Sequence, residues 1–160
     1  MVNPKLFSYS WAIALIPAMV LGHPPLGAAQ TETIAISAQT DLSSQILTGT
    51  SGGSVTRDSC GITKSKPDHI ITIQDRFNFL RIAAQTSEAS STLWIVSSDS
   101  NTGLCAYGEN QGDRSVVELS GLWIPGTYDI YVGETATDTT QPFCLTLSDD
   151  YSGNDFSNCP

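Results

Sequence analysis

The chain is short of positive charge: seven Lys and Arg stand against sixteen Asp and Glu, and histidine occurs twice. Nucleic acid and anionic membrane surfaces are held through a basic footprint, so neither is expected as a partner. No Cys-x-x-Cys pair occurs, which removes the ligand spacing of a structural zinc site. No window of helical length carries a 3.6-residue apolar stripe; "RIAAQTSEAS" comes nearest, and its β-branched and serine content weakens it. Internal repeats and heptads are missing too, and nothing marks a second domain. No Gly-x-Ser-x-Gly nucleophile elbow is expected. Beyond residue 30 a single histidine, His69, stands beside Asp68 at the head of a strand-like run, so histidine-based hydrolysis has one candidate base.

What is present starts with an export pattern. Lys5 precedes the apolar run "LFSYSWAIALIPAMVLG" (6–22), and Pro24, Pro25 and the small residues of "LGAAQ" follow. A positive start, an apolar middle and a small-residue exit predict a signal peptide over 1–29, cut after Ala29. A membrane anchor is the rival, because seventeen residues reach the short edge of a bilayer span, but Pro17 and the Pro-Pro break favour cleavage. No transmembrane segment is then expected in the mature chain, and the address is the periplasm or the outside of the cell. Residues 30–160 number 131, enough for one packed core. Losing Lys5 leaves six basic residues against sixteen acidic ones, a net charge of −10.

Four cysteines, Cys60, Cys105, Cys144 and Cys159, follow the export signal, and an even count in that setting predicts two disulfides. Three pairings are possible; Cys60–Cys105 with Cys144–Cys159 is preferred, the second closing a fifteen-residue loop that tethers the C-terminal tail 150–160.

Strand chemistry recurs in eight runs bounded by Gly, Pro, Asn, Asp or Ser: 45–50, 69–74, 77–85, 92–98, 103–108, 115–120, 127–133 and 142–149. Residues 30–50 are expected to be a loose lead-in followed by the first strand. Alternation places Leu80, Ile82 and Ala84 on one face with Phe79 and Arg81 on the other. It likewise places Tyr128, Ile130 and Val132 inward, and Phe143, Leu145 and Leu147 inward. Short strands with turn signals every eight to twelve residues predict an all-β fold, an antiparallel jelly-roll-like β-sandwich, with a closed barrel as runner-up.

The motifs "GGSV" (52–55), "CGI" (60–62), "PDHIITI" (67–73), "FNFLRI" (77–82), "TLWIV" (92–96), "GLCA" (103–106), "ELSGLWIPGTYDIYVG" (118–133) and "FCLTLSD" (143–149) follow one another in a familiar order. In order and spacing, residues 51–149 resemble the bacterial pre-peptidase C-terminal domain, in the short secreted versions common in cyanobacteria. The resemblance implies a jelly-roll-like sandwich that accompanies secreted hydrolases or stands alone on exported proteins. It also implies a non-catalytic role in secretion or in binding a substrate or surface, with calcium in some members. Where such members carry an acidic pair after the motif matching "LCA", this chain has Tyr107 and Gly108, with Glu109 next.

Candidate chemistry is sparse. Calcium prefers oxygen ligands on flexible loops, so Asp99, Asn101, Glu109 and Asp113 are the candidate ligands, with "DDYSGND" (149–155) as a second acidic loop. Glycosidase-type carboxylates would come from Glu109, Asp113, Asp149, Asp150 and Asp155. In "GLWIPGTYDIYVG" (121–133), Pro125 and Gly126 predict a type II turn, and Trp123 and Tyr131 stay open as ligand contacts, Tyr131 pointing outward by alternation. The expected function is that of an exported, non-catalytic binding or accessory domain whose partner is a polysaccharide or a protein. A hydrolase using His69 and loop carboxylates, and an assembly protein acting through a sheet edge, are the alternatives.

Overall fold

A computed structural model describes residues 31–87, 90–152 and 156–160. The expected signal peptide and Asp155 lie outside the described residues. Among them no helix is long and apolar enough to cross a membrane.

Among the described residues, twelve strands run β1 (Glu32–Ile36), β2 (Ile46–Thr50), β3 (Val55–Arg57), β4 (Gly61–Thr63), β5 (His69–Ile73) and β6 (Phe77–Thr86). The second half adds β7 (Ser91–Ser97), β8 (Gly103–Tyr107), β9 (Glu109–Gln111), β10 (Arg114–Trp123), β11 (Gly126–Glu134) and β12 (Pro142–Ser148). All eight expected runs are strands. They form an all-β sandwich with two disulfides, Cys60–Cys105 and Cys144–Cys159. One sheet holds β1, β3, β4, β5, β7, β8 and β11; the other runs β2-β12-β6-β10-β9.

Alternation is the physical origin of the core. Leu80, Ile82 and Ala84 of β6, Tyr128, Ile130 and Val132 of β11, and Phe143, Leu145 and Leu147 of β12 meet between the sheets. Leu93 and Ile95 of β7 and Ile71 and Ile73 of β5 join them from the seven-stranded sheet. A buried Leu or Ile side chain contributes about 1.5–3 kcal/mol, so this seam holds the two sheets together.

Three features differ from expectation. Residues 32–36, read as a loose lead-in, pair in parallel with β5 from Glu32↔His69 to Ile36↔Ile73. Ile36 is fully buried, so one apolar anchor orders the segment, and the sandwich is not wholly antiparallel. Second, β3, β4 and β9 are three-residue strands, too short to show a period.

Third, Pro125–Gly126 does not make a type II turn. β10 belongs to the five-stranded sheet and β11 to the other, so Ile124–Pro125 is a crossover between layers. Gly126 has φ 158°, nearly extended, where a type II turn needs about +80°. Side chains brace the crossover instead: Trp123 Nε1 donates to Leu80 O at 2.9 Å and Tyr128 Oη donates to Ile124 O at 3.0 Å.

Candidate functional site

The outer face of each sheet is covered by a disulfide-anchored segment, and this decides the fate of the aromatic candidates. On the seven-stranded sheet, the cross-strand row Cys105–Trp94–Tyr131 faces away from the core. The β3–β4 hairpin folds over it. Cys60 at the hairpin turn bonds to Cys105, Thr92 Oγ1 donates to Cys60 O at 2.9 Å, and Tyr107 Oη donates to Ser59 O at 2.8 Å. Arg57 then lies 4.6 Å from the Trp94 ring centroid and 5.2 Å from that of Tyr131. Gly61, at φ 74°, packs on the Glu134 backbone, a turn conformation that L side chains avoid.

Two expectations are corrected by this packing. Tyr131 does point away from the core, yet it is only 7% exposed, because Trp94 and Arg57 cover it. Burial raises its phenol pKa first, with Asp129 adding to the shift and Arg57 opposing it. Trp123 is 5% exposed and part of the core, its indole N–H used by Leu80 O. Neither ring presents a free stacking face.

The proposed calcium ligands do not converge. Asp99 and Asn101 sit in the β7–β8 turn, Glu109 begins β9, and Asp113 lies in the β9–β10 turn. The five residues of β8, about 3.3 Å each, separate Asn101 from Glu109. Among the described residues, no group of three or more His, Cys, Asp or Glu side chains is arranged to hold a metal ion. Asp149 and Asp150 sit at the end of β12, where the Asp150 carboxylate accepts from Ser152 N at 2.9 Å and Ser152 Oγ at 2.6 Å. Those bonds hold its pKa below the usual value.

His69 has a more distinctive setting. It stands at the start of β5, flanked by Glu32 of β1 and Ile130 of β11, and its side chain points between the sheets. It is 4% exposed and makes an edge-to-face contact with Phe143 at 5.8 Å between centroids. Neither ring nitrogen makes a well-formed hydrogen bond, although the Thr48 backbone approaches the ring; the closest acid is Glu32, its Oε2 3.8 Å from Nδ1. Burial lowers the imidazole pKa, opposed by the charges of Asp68 and Glu32 and by the Thr48 backbone.

Above the ring opens a cleft of about 490 Å³ between the free edges of β1 and β2, closed at one end by the β4–β5 link. Both lysines beyond residue 30, Lys64 and Lys66, line it. Asp68 is fully engaged elsewhere: Lys64 Nζ holds its Oδ1 at 2.6 Å and Val132 N donates to its Oδ2 at 2.9 Å. The acid that would orient a catalytic histidine is therefore tied to a lysine and a backbone amide.

Sequence reading missed a polar centre at the C-terminal end of β11. Glu134, fully buried at the end of β11, accepts from Ser51 Oγ, from Ser90 Oγ at 2.6 Å and from Gln141 Nε2 at 3.1 and 3.3 Å. Gln141 N in turn donates to Ser51 Oγ at 3.0 Å. A buried carboxylate without a cation is costly, and these neutral donors offset the cost. One signal was in the sequence: Gly49-Thr50-Ser51-Gly52-Gly53 has the Gly-x-Ser-x-Gly spacing, so the expectation that no such string exists is wrong. The context is nevertheless not an elbow, since the string leaves edge strand β2 toward β3 and Ser51 is fully buried on Glu134.

No protein-family model and no curated protein matches the chain. Among solved structures, it is similar to the pre-peptidase C-terminal domain of a collagenase from Bacillus anthracis, at 17% identity and a TM-score of 0.44, over 76% of this chain and 100% of that one.

Proposed function

We propose that this protein is an exported, non-catalytic accessory domain that binds a partner in the periplasm or outside the cell. The observation that carries the reading is the pair of disulfides, each fixing a segment across one outer face of the sandwich. Such bridges persist in oxidising compartments, where small domains use them to supplement a limited core. The export pattern of residues 1–29 and the motif resemblance support the same address. Covering of Trp123 and Tyr131 turns the choice of partner from a polysaccharide stacked on aromatic rings toward a protein. Recovery of one protein in stoichiometric complex from the native envelope would support the reading. Hydrolase turnover by the purified protein that His69→Ala abolishes would end it.

A second reading has its own observation. Edge strand β8, "GLCAY", pairs only with β7, carries no charge, and exposes Leu104 and Tyr107 by 52% and 54%. Natural edges are usually blunted with Lys, Pro or a bulge, so assembly through β8 pairing is the alternative role. Self-association in sedimentation that Leu104→Lys removes would favour it over the accessory role.

A further inference from the structure

We infer that His69 is an acid-sensitive latch: neutral, it holds edge strand β1 against β5; protonated, it releases β1 and opens the cleft between β1 and β2. The inference does not depend on the accessory role. It begins with the placement of the ring at the open edge of the sandwich, where β1 of one sheet and β2 of the other face each other without pairing.

Strand β1 is an edge strand held on one side alone. Its only strand partner is β5, its parallel register starts at Glu32↔His69, and its burial rests on Ile36, with Ile34 half-buried. At neutral pH the uncharged ring fills the inner face against Phe143. A proton would place a full charge where the ring is 4% exposed and neither nitrogen makes a well-formed hydrogen bond. Solvating that charge requires water at the floor of the cleft, and the element that can move to admit it is β1.

The groups facing the ring set the balance. From β1 comes Glu32, 58% exposed and 3.8 Å away, where water screens its attraction. From the β4–β5 link come Asp68, whose attraction for the ring is partly offset by Lys64 at 2.6 Å from it, and Lys66 at the rim. The facing strands β2, β11 and β12 contribute Thr48, Ile130 and Phe143, which carry no charge. Burial outweighs the acids, in accord with the lowered pKa. The sign follows: the closed state is favoured above the ordinary histidine pKa of about 6.5 and loses stability as pH falls toward the lower, buried value.

Hydrogen exchange at a series of pH values between 7.5 and 5 tests the latch. After correction for intrinsic exchange, protection of the amides of 32–36 and 69–73 should fall with acid by up to about tenfold per pH unit, the limit for uptake of one proton. Protection in β6 and β10 should hold over the same range. In His69→Gln, which cannot gain the charge, the local pH dependence should vanish. An equal dependence in that variant, or protection lost across both sheets together, overturns the inference. Should His69→Gln not fold, the imidazole titration of the unaltered protein by NMR decides. A midpoint below 6.5 that coincides with β1 shift changes supports the latch, and a midpoint at or above it ends it.

Discussion

Over the seven-stranded sheet the cover supplies a cation to rings of the sheet; over the five-stranded sheet the cation and one ring both belong to the sheet, and the cover supplies a second ring. Arg57 of the β3–β4 hairpin reaches down onto Trp94 and Tyr131, while its Nε donates to Thr63 Oγ1 at 3.1 Å. On the other side Arg81 belongs to β6 and lies 5.3 Å from Phe79, and the tail supplies Tyr151, stacked on Phe79 at 4.0 Å. The hairpin is also a member of the sheet it covers, through Glu134↔Ile62. The tail meets its sheet through Cys144–Cys159, that stack, Arg81 Nη1 donating to Asp150 O at 3.3 Å and Asp150 N donating to Ser148 Oγ at 3.1 Å. Cys60 is 1% exposed, whereas Tyr151 is 74% exposed. One cover is built into the fold and the other is strapped onto it.

Breaking each cover should expose that difference. Replacing Cys60 and Cys105 by serine opens a link between residues 45 positions apart and should lower unfolding free energy by about 4 kcal/mol, read from urea denaturation. The Cys144→Ser, Cys159→Ser pair spans 15 positions and should lose about 3 kcal/mol at most. Removing the hairpin bridge should also raise Tyr131 ring exposure to chemical iodination; removing the tail bridge should leave it unchanged. If both double variants lose equal stability, the contrast between the covers fails.

Smaller changes sharpen the comparison. Arg57→Ala removes a cation from two rings and two hydrogen bonds, and should cost about 1–2 kcal/mol in thermal melts. Tyr151→Ala loses one exposed stack and should cost about 0.5 kcal/mol, near the low end for aromatic pairs. A larger loss for Tyr151 than for Arg57 would reverse the assignment of which cover is integral.

The candidate site was less legible than the fold. Eight strands could be read because each is five residues or longer and alternates or runs apolar. Strand β1 escaped because "ETIAI" sits in a Ser/Thr-rich stretch and is ordered by β5, 37 residues away. The Ser51–Glu134–Gln141 centre escaped because its members are 83 and 7 residues apart and are ordinary surface types until the fold buries them. Alternation sent Tyr131 to the correct side of its strand but carried no information about the hairpin that covers it.

The sequence by itself determined the all-β class, the composition of the core and the supply of cysteines, because period-two patterning and residue counts are local properties. Only the tertiary structure decided what is exposed. Whether an outward ring meets solvent, and whether His69 finds a hydrogen-bond partner, depends on segments distant in sequence that pack over each residue. Burial is a property of the whole packing, and no window of the chain contains it.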